Sequence, residues 1–215
     1  ASYLGAKYPG AAAKIYTARL GARYYRRIEA EDDGVLKLVS CATVRPVKRL
    51  HILAQALKFV RSKVSWVHVG GGGTHLEELK KIAAGIQREN ISVFFKGSLP
   101  SRDIIPYYVE HNFDLFINVS ESEGVPVSVM EAFSAGMPVF ATDVGGTGEI
   151  VDDTVGKLLP KDLSPELLAN CIDEFANLSA PVRNELCINS FQRFRDRCDA
   201  DANARLLAEE IKKRM

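Results

Sequence analysis

Two glutamates, Glu123 and Glu131, flank the segment Gly-Val-Pro-Val-Ser-Val-Met. An apolar run from Phe113 to Val119, then Ser120, precedes them, and Met130-Glu-Ala-Phe-Ser-Ala-Gly-Met-Pro138 follows. The pattern predicts a strand, a tight acidic-glycine turn, a helix and another strand. A helix N-terminus at the carboxyl end of a strand offers free N–H groups and a positive dipole end, which suit a phosphate. Gly124 has no side chain to hold a ligand off. Carboxylates repel phosphate, so the two glutamates are expected to face hydroxyls. A ligand with phosphate in the middle and hydroxyls on both sides is a nucleotide sugar.

A cation stands at a second helix start. Lys48, in Thr43-Val-Arg-Pro-Val-Lys-Arg49, opens a helical pattern after an apolar strand. A positive charge there is mildly unfavourable for the helix, a cost that a bound anion would offset. The run Gly70 to Gly73 also follows a strand and precedes a helix. A dinucleotide fingerprint would need a third glycine where His75 stands, and an acid after the next strand, where Lys96-Gly97 stands. NAD binding is therefore disfavoured. His51, His68, His75 and His111 lack metal-ligand spacing, so no zinc site is assigned. Asp199-Ala-Asp201 reads as a solvated helix start.

The elements that must carry these residues alternate. Strands are expected at 36–41, 64–69, 91–95, 113–119, 138–142 and 157–159. Helices are expected at 48–60, from Thr74 with a capping box Thr74-His-Leu-Glu77, and at 101–112, where Pro106 is a weak point. Further helices are expected at 165–178, 180–195 and from 202 onward. Lys14 to Leu20 could form another strand, and Tyr24 to Asp33 is charged and turn-like at its end. Apolar strands alternating with helices argue for a parallel sheet covered on both faces.

The run Ser120-Glu-Ser-Glu-Gly-Val-Pro-Val-Ser-Val-Met-Glu-Ala-Phe-Ser-Ala-Gly-Met-Pro-Val, with Ala141-Thr-Asp-Val-Gly-Gly-Thr-Gly-Glu-Ile-Val, resembles the donor-binding half of the family-4 (group 1) retaining glycosyltransferases, which have the two-domain GT-B fold. The resemblance covers Leu36 to Pro160 well and the helical tail loosely. It implies an α/β fold, a Rossmann-like doubly wound parallel sheet with a helical C-terminal tail. Residues 36–215 would bind the nucleotide sugar, and 1–35 would be the interdomain linker and end of an N-terminal domain of about 150–200 further residues.

The resemblance also implies roles. Glu123 and Lys48 would be catalytic, Glu123 at the sugar hydroxyls and Lys48 on the diphosphate. Glu131 would bind the ribose. Backbone amides around Gly124, Val127 and Ser128 would hold the diphosphate. Gly70 and Gly72 would line the donor crevice, and Lys96 would lie near the base. Thr43 departs from the pattern, since the family has an arginine there; Arg45 and Arg49 are the candidates to replace its charge.

Transfer in this family is metal-independent, with a UDP- or GDP-linked sugar as substrate and no cofactor. The expected acceptor is a glycan or glycolipid, in the synthesis of a surface polysaccharide, capsular or lipopolysaccharide. The fragment alone is expected to be inactive, because the acceptor sits on the N-terminal domain. Through that domain the enzyme could associate peripherally with the inner face of the membrane, from a cytoplasmic location. A non-catalytic nucleotide-binding module, a sugar-nucleotide epimerase and a phosphorylase of similar fold are the alternatives.

Composition fits this picture. The chain has 215 residues, 47% apolar and 26% charged, enough for one large domain. Its net charge of +1 gives no reason to expect nucleic acid as a partner. Four cysteines without CxxC spacing match a reducing compartment. No apolar run reaches the roughly 18 residues of a spanning helix.

Overall fold

The computed structural model describes residues 2–24, 34–86 and 88–214. It begins with a helix, α1 (Ser2–Lys7), and a 3₁₀ turn (Pro9–Lys14). Six strands follow: β1 (Leu36–Cys41), β2 (Val64–Val69), β3 (Ile91–Gly97), β4 (Leu115–Asn118), β5 (Val139–Thr142) and β6 (Gly156–Leu159). Between and after them run α2 (Leu50–Ala56), α3 (Gly73–Ala84), α4 (Ser101–Glu110), α5 (Val127–Ser134), α6 (Pro165–Ala176), α7 (Ala180–Arg193) and α8 (Ala200–Arg214).

The strands form one parallel sheet in the order β3-β2-β1-β4-β5-β6. Successive side chains point to opposite faces, and here both faces are dry. Leu38, Trp66, Leu115, Ile117 and Phe140 pack with α2, α3 and α6. Val39, Val69, Phe116, Val139 and Ala141 pack with α4, α5 and Phe194. That two-sided burial is why β4 and β5 read as near-continuous apolar runs, while the polar residues buried in β1 and β2, Ser40 and His68, bond to each other at 2.9 Å. The order reverses between β1 and β4, the place where doubly wound sheets open a ligand crevice at the carboxyl ends of their strands.

Several local expectations need correction. Residues 15–20 form no strand. The edges of the sheet belong to β3 and β6, and this segment meets the C-terminal helices instead: Asn203 Nδ2 donates to Leu20 O at 2.9 Å, and just beyond it the Ala22 amide donates to Cys198 O and the Ala200 amide to Ala22 O. The charged stretch that ends at Asp33 lies, beyond Tyr24, outside the described residues.

The helix expected over 48–60 divides into a 3₁₀ turn (Pro46–Lys48) and α2. Arg49 separates them in a left-handed conformation, φ 45°. Its guanidinium holds that break in place, donating to the carbonyls of Val119 (2.9 Å), Lys161 (3.0 Å) and Ser120 (3.3 Å).

The capping box at Thr74 does not form. Gly72, at φ 154°, is the N-cap of α3 and no side chain caps it. Gly73 can take φ 50° at no steric cost, so the helix starts ahead of Thr74. α4 runs through Pro106 and stops at Glu110. α7 ends at Arg193 and passes into a π-turn (Phe194–Cys198). Asp199 then caps α8, accepting from the Asp201 and Ala202 amides at 2.9 and 3.0 Å, as its solvated reading requires.

Candidate functional site

The site is assembled where the strand order reverses. The chain leaving β1 turns at Pro46–Lys48, and the chain leaving β4 turns through Ser120 to Glu123, so the two loops face each other. Lys48 Nζ lies 2.7 Å from Glu123 Oε1. Ser120 Oγ and Asn118 Nδ2 donate to the same oxygen at 2.6 and 3.1 Å. The loops are also joined by backbone, the Glu121 amide donating to Val47 O at 2.8 Å. Burial alone would raise the Glu123 carboxyl, but the bonds from Lys48, Ser120 and Asn118 outweigh it and hold the group below its usual range.

The turn that carries Glu123 rests on a second loop. The Gly146 amide donates to Gly124 O at 2.7 Å. Gly145 sits at φ +56°, and a Cβ there would lie 1.8 Å from Glu123 O. Only glycine satisfies both demands, which explains the Gly-Gly pair after β5. Beyond the turn, Pro126 is the N-cap of α5 without a side-chain cap, and the Val129 and Met130 amides both donate to its carbonyl. The amides of Val127 and Ser128 are first-turn donors that the helix cannot use. They are therefore available to an anion, beside Gly124.

Glu131 follows on α5 in different surroundings. Burial pushes its carboxyl up to about 7. It opens on a cavity of about 690 Å³, whose wall includes Arg23, Tyr24, Ser101, Arg102 and Val127. Cys41 and Tyr108 lie behind it; burial raises the Cys41 thiol to about 11, which keeps it from acting as a nucleophile. The two glutamates thus differ: one ionised and ion-paired, the other half-shielded and titrating near neutrality.

The remaining expected residues are placed as follows. Gly70 and Gly72 receive the chain leaving β1: a Cβ on Gly70 would lie 1.8 Å from Ala42 O, and one on Gly72 2.6 Å from Val44 O. Thr43 is exposed on that chain. Arg49 is committed to carbonyls and is not free to replace the family arginine. Arg45 borders a separate groove of about 370 Å³ between α2 and α3. Lys96 is exposed at the end of the edge strand β3, its ammonium 5.3 Å from the Tyr107 ring centroid rather than on the Lys48–Glu123 pair.

Sequence reasoning passed over Asn118 and Ser120, which complete the Glu123 environment, and Arg23, Tyr24 and Arg102 beside Glu131. A polar Asn ending an otherwise apolar strand, three residues from a glutamate turn, was the available signal for the first pair. Nothing local announced the second group, which reaches Glu131 from two distant parts of the chain.

Known proteins carry the same arrangement of sequence and fold. The family model of the glycosyl transferases group 1 matches residues 23–193. An O-antigen biosynthesis glycosyltransferase of Escherichia coli, WbnH, is 40% identical over 86 residues, 40% of this chain and 23% of that protein. The putative colanic acid biosynthesis glycosyltransferase WcaL of Escherichia coli K12 is 26% identical over 212 residues, 92% of this chain and 50% of that protein. The chain thus spans half or less of the length of these curated relatives.

Among solved structures, Anabaena HepE in complex with UDP and glucose superimposes with a TM-score of 0.71 at 25% identity, covering 83% of this chain and 48% of that one. The sucrose-phosphate synthase of Thermosynechococcus elongatus shares the fold with a TM-score of 0.78 at 18% identity, covering 99% of this chain and 56% of that one. The chain therefore belongs to the group 1 glycosyl transferases and has the Rossmann-like C-terminal architecture of their GT-B fold.

Proposed function

We propose that this chain binds the nucleotide diphosphate of an activated sugar and forms the donor half of a glycosyltransferase. The observation that carries the reading is the position of Lys48 and Glu123 across the switch point, beside the free amides of α5. In this reading the diphosphate lies against Val127, Ser128 and Gly124, and Lys48 neutralises it as it departs. Glu123 receives sugar hydroxyls and Glu131 the ribose. Those groups supply the charge stabilisation without a metal ion, and the resemblance implies retention of anomeric configuration. The UDP in the HepE complex favours uridine as the base. Relatives named for O-antigen and colanic acid biosynthesis favour a surface glycan or glycolipid acceptor, held by an N-terminal domain at the cytoplasmic face of the membrane. Among the described residues, no helix is long and apolar enough to cross a membrane.

Titration calorimetry with UDP, GDP and ADP tests this. Binding of one of them is expected, weakened about tenfold by Lys48→Ala or Glu131→Ala, as loss of a charge-assisted contact would do. Absence of binding to all three overturns the site. Thr43, uncharged and exposed, favours a second reading as a non-catalytic nucleotide module; assay of the full-length enzyme for sugar transfer to a lipid-linked acceptor separates the two.

A further inference from the structure

The Lys48–Glu123 ion pair joins two charges that the proposed function sends to different parts of one ligand. Lys48, Ser120 and Asn118 all donate to Oε1 of Glu123, and Oε2 takes part in none of these bonds. Ser120 and Asn118 are fixed points. The chain between them is anchored by Arg49 through the Val119 and Ser120 carbonyls. The hydroxyl of Thr142 also donates to Ser120 O. Glu123 is therefore held facing Lys48 rather than left to swing.

The side chains retain only 27% and 11% exposure for Lys48 and Glu123. Removing one partner of so shielded a pair leaves a poorly solvated charge behind. A free nucleoside diphosphate would do that: it draws Lys48 to its phosphates and strands Glu123 beside new negative charge. A nucleotide sugar compensates, because its hydroxyls can donate to the carboxylate, with Oε2 open to receive them.

We infer that Asn118 and Ser120 are specificity-determining residues, which brace Glu123 against Lys48 so that a nucleotide bearing a sugar is favoured over the free nucleotide. The inference rests on the donor-site reading above. It would ease product release, since the spent nucleotide competes with Glu123 for the lysine.

Calorimetry with UDP and UDP-glucose on the wild type, Glu123→Gln, Glu123→Ala and Asn118→Ala/Ser120→Ala decides it. Both Glu123 variants should bind UDP more tightly, by about 5- to 10-fold, while the preference for UDP-glucose over UDP falls toward one. The alanine variant matters because it adds no donor for phosphate, so its gain can come only from losing the carboxylate, which frees Lys48 and ends its repulsion of the phosphates. The double variant should shift both quantities the same way, by less. UDP affinity unchanged or weakened in both Glu123 variants, with the wild type binding normally, overturns this inference and leaves the donor site standing. A wild type that binds neither compound, and neither GDP nor ADP, overturns both.

Discussion

Glu131 and Glu123 have the same side chain and opposite titration behaviour. The Glu131 carboxyl is raised by burial to about 7, so between the ordinary carboxylate range and pH 7 the folded protein holds a proton that the unfolded chain has lost. Stability therefore falls as pH climbs through that window. In urea melts, Glu131→Gln should match the wild type near pH 5 and exceed it near pH 8. In the proposed role binding runs the other way, because an ionised carboxylate would accept ribose hydroxyls more strongly than a neutral acid. Nucleotide affinity of the wild type should drop when pH is lowered from 8 to 6. Glu131→Gln, titrated in parallel to cancel the ligand's own phosphate protonation, should show a smaller drop; an equal drop would remove Glu131 from the ribose.

Asp173 makes the contrasting case. Almost fully buried, it accepts from the Arg61 and Ser62 amides, the Ser62 hydroxyl and the Arg61 guanidinium at 2.8–3.1 Å. Burial would raise it, but those donors hold it below its usual range. Its contribution is present at neutral pH and is lost as pH falls below the ordinary aspartate range. Asp173→Ala should cost about 2 kcal/mol at pH 7, leaving the part-buried Arg61 and Ser62 amides without their acceptor, with a smaller penalty at pH 3. Chemical denaturation at the two pH values checks this.

At the scale of elements, the site depends on loops held by backbone contact. The turn carrying Glu123 leans on Gly145–Gly146, and the chain carrying Thr43 leans on Gly70–Gly72. Gly145→Ala adds a left-handed penalty of about 1–2 kcal/mol and drives a methyl group into Glu123 O. We expect a lower denaturation midpoint and nucleotide affinity reduced by about tenfold or more, with far-UV circular dichroism near that of the wild type. Undiminished affinity would show that the turn does not need this support. The strands were legible at this scale because burial on both faces leaves them predominantly apolar and short, bounded by turn and helix patterns. The break at Arg49 was not, because its cause lies in carbonyls of Val119, Ser120 and Lys161, far along the chain. The Thr74 capping box failed for a related reason: it is a local pattern, and the glycine run beside it allowed an earlier start.

The whole molecule is a sheet whose middle strands carry the site and whose two apolar layers hold those strands still. A ligand across β1 and β4 ties both layers together, so binding should register as global stability. At 100 times its dissociation constant, a nucleotide adds about 2.7 kcal/mol, which for a chain of this size raises the melting temperature by about 5–10 °C. Thermal denaturation with and without UDP measures it, and the Lys48→Ala variant should show a smaller shift.

By itself, the sequence determined the doubly wound class and the family, and it proposed the main site residues. Those follow from periodicity, glycine placement and the Glu123 to Glu131 run, all of which are local in the chain. Tertiary structure alone decided that Lys48 lies against Glu123, that Asn118 and Ser120 brace the pair, that Arg49 is structural, and that Glu131 titrates near neutrality. Each of these depends on distances between residues tens of positions apart and on how much water the packing excludes, and no spacing along the chain encodes either.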